Sequence, residues 1–492
     1  MRAFFRRPGF FFLLALLLRL PALFWHERWN PDSLAYLYLG GGLWRGHFPL
    51  LPLPNLVSPP GCALALGWIS FLPMAWQNSA GYLLQAMFSA ALVFPIHALT
   101  RRRFGARAAP WAAFLVTFAH PFILTAAQFQ AEAVYLLALF GGIALLERRD
   151  RLGGLAAPLL ALAALTRGEG PAVVAAALLF AALRANANHR PHAFTRALVC
   201  AGVCLVALGS YALLFRNFSG QLPWAFYFKN AAGVGAMTRG TEPAEFAALL
   251  KLRAQPMAEF LRVIATRLPV TMLSSAGWWL FGMLPGALFV LLPALPAGLW
   301  RRLQALRVSR GRGLDPLDGI CIANTLIFLI VWRARHHAPM GLGPLIPVIA
   351  AALAVAVTRW PRWLAFALAG WSVWALVHVF LVQRNFSRQP ELPGTTLGSR
   401  FAPAGALTDD FPALDAAGRG RWLGTRKPPL LPPDSTPDDW RRLAAEFPAT
   451  RIAIHNEGLP VAAPPAEWPK LDCQPGLNDR MTPICAYEIP VR

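Results

Sequence analysis

The chain is predicted to be an α-helical polytopic membrane protein of about eleven transmembrane helices, carrying a small C-terminal α/β domain outside the bilayer. Three observations lead there. Apolar runs long enough to cross roughly 30 Å of hydrocarbon recur from Phe10 to Leu381 and then stop. Of the 492 residues, 56% are hydrophobic and 14% charged, with mean hydropathy +0.45, which is too apolar for a soluble protein of this length. Arginine is confined largely to alternate loops between the apolar runs.

The arginine pattern sets the topology. Six clusters, at 2–7, 101–107, 147–151, 184–196, 301–312 and 359–362, hold 20 Arg in roughly 50 residues, whereas the alternate loops hold about 12 Arg and Lys in roughly 110. That is the bias of cytoplasmic loops. The net charge of +22 therefore reflects topology, and no nucleic-acid partner is expected.

With those clusters inside, the spans fall at 10–25, 80–100, 108–126, 130–146, 152–166, 171–183, 197–215, 270–298, 317–332, 339–357 and 363–382. The N-terminus is then cytoplasmic and the C-terminus extracytoplasmic. The opening MRAFFRRPGFFFLLALLLRL has the charge and apolar core of a signal peptide, but no small-residue cleavage site follows before Trp25. It is read as a retained first helix.

Between the spans lie two long outer loops, 26–77 and 216–268. In the first, SLAYLYLGGGLWRG and PPGCALALGWISFLPM are apolar yet too short or broken to span, as interfacial segments are. In the second, Met257, Phe260, Leu261, Ile264 and Leu268 recur at helical spacing, opposite Glu259, Arg262 and Arg267. A helix lying on the outer leaflet is expected there. The membrane domain is taken as 1–390 and the soluble domain as 391–492, where STPDDWRRLAAEF reads as a helix and ATRIAIHNEGL as a strand ending in a turn.

Cys200, Cys204 and Cys321 lie in apolar runs, and Cys62 lies near the outer surface. Cys473 and Cys485 belong to the tail, where a disulfide between them is compatible with an oxidising compartment. No CxxC or His/Cys spacing of metal-ligand type occurs, so neither a metal nor another cofactor is expected.

Acids are scarce, with 24 Asp and Glu in the whole chain, so those at the outer face are informative. Asp32 follows the first span; it either caps the segment that starts at Ser33 or does chemistry at a water-facing entrance. Glu132 opens the fourth span and either pairs with an arginine or contributes to a site. Arg167 and Glu169, in ALTRGEGP, either pair across a tight turn or present Arg167 to an anion. WRARHHAP places Arg333, Arg335, His336 and His337 on the outer side, against the positive-inside bias; a lipid headgroup or a substrate phosphate would account for them.

Acids and arginines on one outer face, walled by helices, fit transfer of a sugar from a polyprenyl phosphate. The acid takes a proton from the acceptor as it attacks the anomeric carbon, and the cations stabilise the departing lipid phosphate. The same groups also fit a transporter or flippase of a lipid-linked anion, which would need access from both sides. A non-catalytic assembly scaffold is the third possibility.

The pieces PDSLAYLYLGGGLWRGHFP, PPGCALALGW, RRRFGARAAPWAAFLVTFAHPFILTAAQFQAEAVYLLALF, LAALTRGEGPAVV and RARHHAPMGLGPLIPV resemble, in order and spacing, the GT-C membrane glycosyltransferases. The resembling branch is that of the dolichyl-phosphate-mannose protein mannosyltransferases and the bacterial lipid A aminoarabinose transferase. The resemblance covers about residues 10–360 and implies a GT-C-like fold. It also implies that Asp32 is the catalytic base or acceptor-positioning acid, and that Glu132 is the acid opening the fourth span. Arg167 and Arg335 would then lie near the lipid phosphate. Members often carry Asp followed by Glu, whereas Ser33 follows Asp32 here, which removes an acid pair that could hold a metal. The implied partners are a polyprenyl-phosphate sugar donor, membrane lipids, and a glycan, lipid or protein acceptor. Arg-rich, Lys-poor usage points to a GC-rich bacterium, and the resemblance then implies its inner membrane as the location.

Overall fold

The computed structural model describes residues 7–24, 36, 40–41, 43–44, 59–72, 74–127, 130–148, 150–219, 300, 302–304, 307, 313–331, 338–359, 368–373, 376–377, 379–381, 406–408, 437–438, 441, 451–454, 465–474 and 484–488. The span expected at 270–298, and the interfacial helix expected within 216–268, lie outside them. So do Asp32, Arg333, Arg335, His336 and His337.

The described membrane part is helical. α1 (Pro8–Arg19) starts on a proline, whose missing N–H costs nothing in a first turn, and tightens into a 3₁₀ turn at Leu20–Leu23. α2 (Pro60–Leu66) and a following 3₁₀ turn (Gly67–Phe71) form a short apolar pair. α3 (Met74–Ala91) and α4 (Val93–Phe104) run on from one another, with the seam at Leu92, close to Pro95, which has no N–H to donate. α4 stops at Gly105, whose φ of 86° is the left-handed conformation a glycine allows.

α5 (Ala109–Phe118) and α6 (His120–Leu124) are separated by an extended Ala119, two residues before Pro121. α7 (Glu132–Leu146), α8 (Ala156–Thr166), α9 (Gly170–Ala187) and α10 (Pro191–Ser219) follow through short turns, as antiparallel neighbours do. α11 (Pro316–Val331) and α12 (Ala338–Arg359) complete the described bundle. Residues 368–373 and 379–381 are also helical, within the last expected span.

α7 is apolar on every face and nearly all of it is buried, so it is the central helix. Tyr135, Leu139, Phe140 and Ile143 form one core with Leu160, Val173, Ile320 and Ile349 from α8, α9, α11 and α12. α10 is the opposite case: Leu198, Val199, Leu205, Val206 and Leu213 point outward, as apolar side chains do when lipid is the solvent. Among the described residues, three helices are long and apolar enough to cross a membrane, at Ser79–Phe104, Gly170–Ala187 and Pro191–Asn217. The protein is an integral membrane protein.

The two ends of the bundle differ in charge. At one end Glu147 pairs with Arg102, Arg103 and Arg184, and the buried Asp315 pairs with Arg103 and Arg184. Asp315 also accepts from the Leu317 N–H at 2.8 Å, capping α11. Arg302 binds Asp318 one turn further on, Nε to Oδ1 at 2.9 Å. Four of the six predicted cytoplasmic clusters, at 101–107, 147–151, 184–196 and 301–312, therefore meet in space and tie α4, α7, α9 and α11 together. The opposite end carries Glu132, Arg167 and Glu169.

The tail contains a four-stranded sheet, β1 (Ala406–Thr408), β2 (Arg451–Ile454), β3 (Lys470–Gln474) and β4 (Ile484–Glu488), in the order β1-β2-β4-β3. β1 and β2 are parallel, and the remaining pairs are antiparallel. β2 is the strand expected from ATRIAIHNEGL. Of the expected helix at STPDDWRRLAAEF, residues 437, 438 and 441 are described, all helical. Cys473 and Cys485 are register partners across β3 and β4.

Candidate active site

Three of the residues singled out in the sequence converge. α8 ends where Arg167 turns extended (φ −140°, ψ 153°), and the Gly170 N–H donates back to the Arg167 carbonyl at 2.9 Å to close the turn. Proline near the start of α9 fixes the re-entry. Across from this turn, Glu132 sits in the first turn of α7, where the helix dipole favours a carboxylate.

Arg167 bridges the two acids. Its Nη1 donates to Glu132 Oε1 at 2.5 Å and its Nε to Glu169 Oε1 at 2.6 Å. The three side chains are 9%, 2% and 6% exposed, so this is a buried ion cluster rather than a surface pair. Burial opposes the charge on Arg167, but the carboxylates of Glu169 and Glu132 outweigh it and raise the guanidinium pKa. Among the described residues, two carboxylates thus share one guanidinium. The pairing expected of Arg167 and Glu169 is present, and Glu132 joins it.

A polar lining surrounds the cluster. Tyr36, buried, lies within electrostatic range of Arg167. Tyr135, one turn along α7 from Glu132, lies within range of Glu169 and Arg167. Its buried hydroxyl has no hydrogen-bond partner among the described residues. Gln85 on α3 donates its Nε2 to the Gln130 carbonyl at 2.7 Å, pinning the chain two residues before Glu132.

The first outer loop reaches the cluster through glycine contacts. A Cβ on Gly61 would overlap Thr166 Oγ1 and lie 2.7 Å from the Leu165 carbonyl carbon, so α2 sits directly on the end of α8. A Cβ on Gly40 would overlap the Ala63 carbonyl oxygen and the Gly67 Cα. The described helical residues within 36–44 therefore pack backbone to backbone on α2, and Trp44 Nε1 donates to the Leu64 carbonyl at 2.9 Å. This layer brings Tyr36 to Arg167.

Tyr36, Gln85 and Tyr135 were not singled out in the sequence. Tyr36 lies four residues after Asp32, a spacing that places residues on one face where the chain is helical, and this was the available signal. Gln85 and Tyr135 sit inside apolar spans, where their polar groups are the only mark. Among the described residues no group of three or more His, Cys, Asp or Glu side chains is placed to hold a metal ion.

No family model matches the chain, and no curated protein matches it significantly. Among solved structures, similarity is found to the oligosaccharyltransferase AglB of Archaeoglobus fulgidus in complex with an inhibitory peptide and a dolichol-phosphate, at 14% identity and a TM-score of 0.49, over 90% of this chain and 69% of that one. The oligosaccharyltransferase of the same organism tethered to an acceptor peptide matches at 13% identity and 0.48, over 90% and 68%. ArnT from Cupriavidus metallidurans in the apo state matches at 13% and 0.40, over 97% of both chains. At such identities and scores these likenesses carry no argument, and the reading of the site rests on its own residues.

Proposed function

We propose that the protein is a membrane glycosyltransferase that moves one sugar from a polyprenyl-phosphate donor to an acceptor at the extracytoplasmic face of a bacterial inner membrane. The observation that carries it is the buried Glu132–Arg167–Glu169 cluster at the end of the bundle opposite the predicted cytoplasmic arginine clusters. Charge inside an apolar bundle is expensive and is retained where it works.

In this proposal the work divides by charge. Because Arg167 is shared by two carboxylates, the cluster suits the acceptor side, where it orients a hydroxyl or amine. Arg333, Arg335, His336 and His337 take the lipid phosphate, since forked guanidinium donors match its oxygens. Asp32 removes the acceptor proton as the acceptor atom attacks the anomeric carbon. The bond from that carbon to the phosphate oxygen breaks, and the electron pair leaves on the lipid phosphate with inversion. The membrane domain is assigned to 1–390 and an outer soluble domain to 391–492.

The transporter alternative is disfavoured by the other end of the bundle. There Glu147 and Asp315 each hold more than one arginine and tie four helices together, which supports a closed inner end over one that opens in every cycle. The test is release of lipid phosphate from a panel of undecaprenyl-phosphate hexoses and pentoses, with an envelope lipid extract as acceptor. Asp32→Asn abolishes turnover in a folded protein, and Arg335→Ala raises the donor concentration needed. Unchanged turnover in the first removes Asp32 from the mechanism. An unchanged donor response in the second moves the phosphate elsewhere.

A further inference from the structure

Arg19 ends α1 inside the bundle with 0% exposure and, among the described residues, no carboxylate partner. Its Nε donates to Ser89 Oγ at 2.8 Å, its Nη2 to the Val116 carbonyl at 2.8 Å, and its Nη1 to the carbonyls of Ala15 at 2.9 Å and Thr117 at 3.4 Å. Val116 and Thr117 belong to the last turn of α5. Their carbonyls are orphaned because the helix breaks at Ala119, and a cation at a helix C-terminus is favourable. Each of the three guanidinium nitrogens donates to a protein oxygen, so Arg19 serves the packing of the bundle.

The contacts run on towards the cluster. Ser89 accepts from Arg19 and donates to the Phe122 carbonyl at 2.6 Å, and the Thr125 hydroxyl lies 3.0 Å from Ser89 Oγ and 2.7 Å from the Phe122 oxygen. One helical turn away on the same face of α3, Gln85 holds the Gln130 carbonyl. Two rungs on α3 thus fasten both ends of the segment between Ala119 and Glu132. A buried arginine without a counter-ion costs several kcal/mol in hydrocarbon. A methyl-rich side chain would fill α1 at no such cost.

We infer that Arg19 is a positioning residue: through the α5 break, Ser89 and the α6 segment it sets where Glu132 stands relative to Arg167. The inference rests on the reading of Glu132 and Arg167 as a site.

Amide hydrogen exchange of the full-length protein in detergent micelles tests it without any substrate. Arg19→Met is expected to speed exchange at least tenfold in peptides covering 119–134 while α9 and α10 keep their wild-type protection, and Arg19→Lys restores part of it. A uniform loss of protection, or none, overturns the inference. If Arg19→Met does not fold, Ser89→Ala is expected to give the same confined loss, and an unchanged or uniform pattern overturns the inference equally. Where transfer is measured, Arg19→Lys lowers kcat more than it raises KM for an undecaprenyl-phosphate sugar. A wild-type protein that transfers no sugar overturns the proposed function but leaves the exchange result standing.

Discussion

Arg167, at the turn between α8 and α9, reaches Glu132 at the start of α7 with 2.5 Å between Nη1 and Oε1, although 35 residues separate them in the chain. The same guanidinium holds Glu169. The cluster is therefore asymmetric: losing either acid leaves the guanidinium with the other, whereas losing the arginine takes the shared guanidinium from two buried carboxylates at once.

That asymmetry predicts a ranking of stabilities. Arg167→Met is expected to cost about 3–5 kcal/mol, the usual penalty for stranding a buried charge. Glu132→Gln, which keeps the shape and leaves the Arg167–Glu169 pair, costs clearly less. Thermal unfolding in detergent checks the order, and equal losses would mean that the two carboxylates do not share one guanidinium.

Asp315 offers the matching test at the other end. It holds Arg103 and Arg184 and caps α11, so Asp315→Ala loses a buried pair and a cap, about 4 kcal/mol or more together. Because it lies at the end opposite Glu132, variant protein that still folds is expected to keep the wild-type KM for donor. A large KM change would show that the two ends are coupled.

The glycine contacts predict an effect on activity from residues that carry no chemistry. Gly61→Ala and Gly40→Ala each force backbone apart, at about 1–3 kcal/mol. Since these contacts bring Tyr36 to Arg167, turnover is expected to fall more than thermal stability does. Circular dichroism melts alongside turnover measurements separate the two effects.

In the tail, the register that sets Cys473 opposite Cys485 predicts a cross-strand disulfide in protein purified without reductant. Alkylation followed by mass spectrometry is expected to leave both protected until a reductant is added. Free thiols at both positions would place the sheet in a reducing compartment and reverse the proposed orientation.

Much of this was legible in the sequence. Apolar runs foretell helix at most of the expected spans that the described residues cover, and three of those helices are long and apolar enough to cross a membrane, where the backbone must satisfy itself. Glu132, Arg167 and Glu169 stood out because acids are scarce. That Glu132 would join the Arg167–Glu169 pair did not, since local spacing says nothing of a contact 35 residues apart. The close approach of Gly40 to Gly67 was not legible either, because it joins two apolar segments that the sequence shows only as interfacial. Nothing in the sequence marks out Arg19 within its apolar run. Only the break before Pro121, which strands two carbonyls beside it, gives that charge a purpose.

The most direct measurement of the central claim uses proteoliposomes with a labelled undecaprenyl-phosphate sugar supplied on the extracytoplasmic side alone. The account predicts transfer of label to acceptor on that side, abolished by Asp32→Asn. Movement of intact donor across the bilayer with no sugar transferred would contradict it.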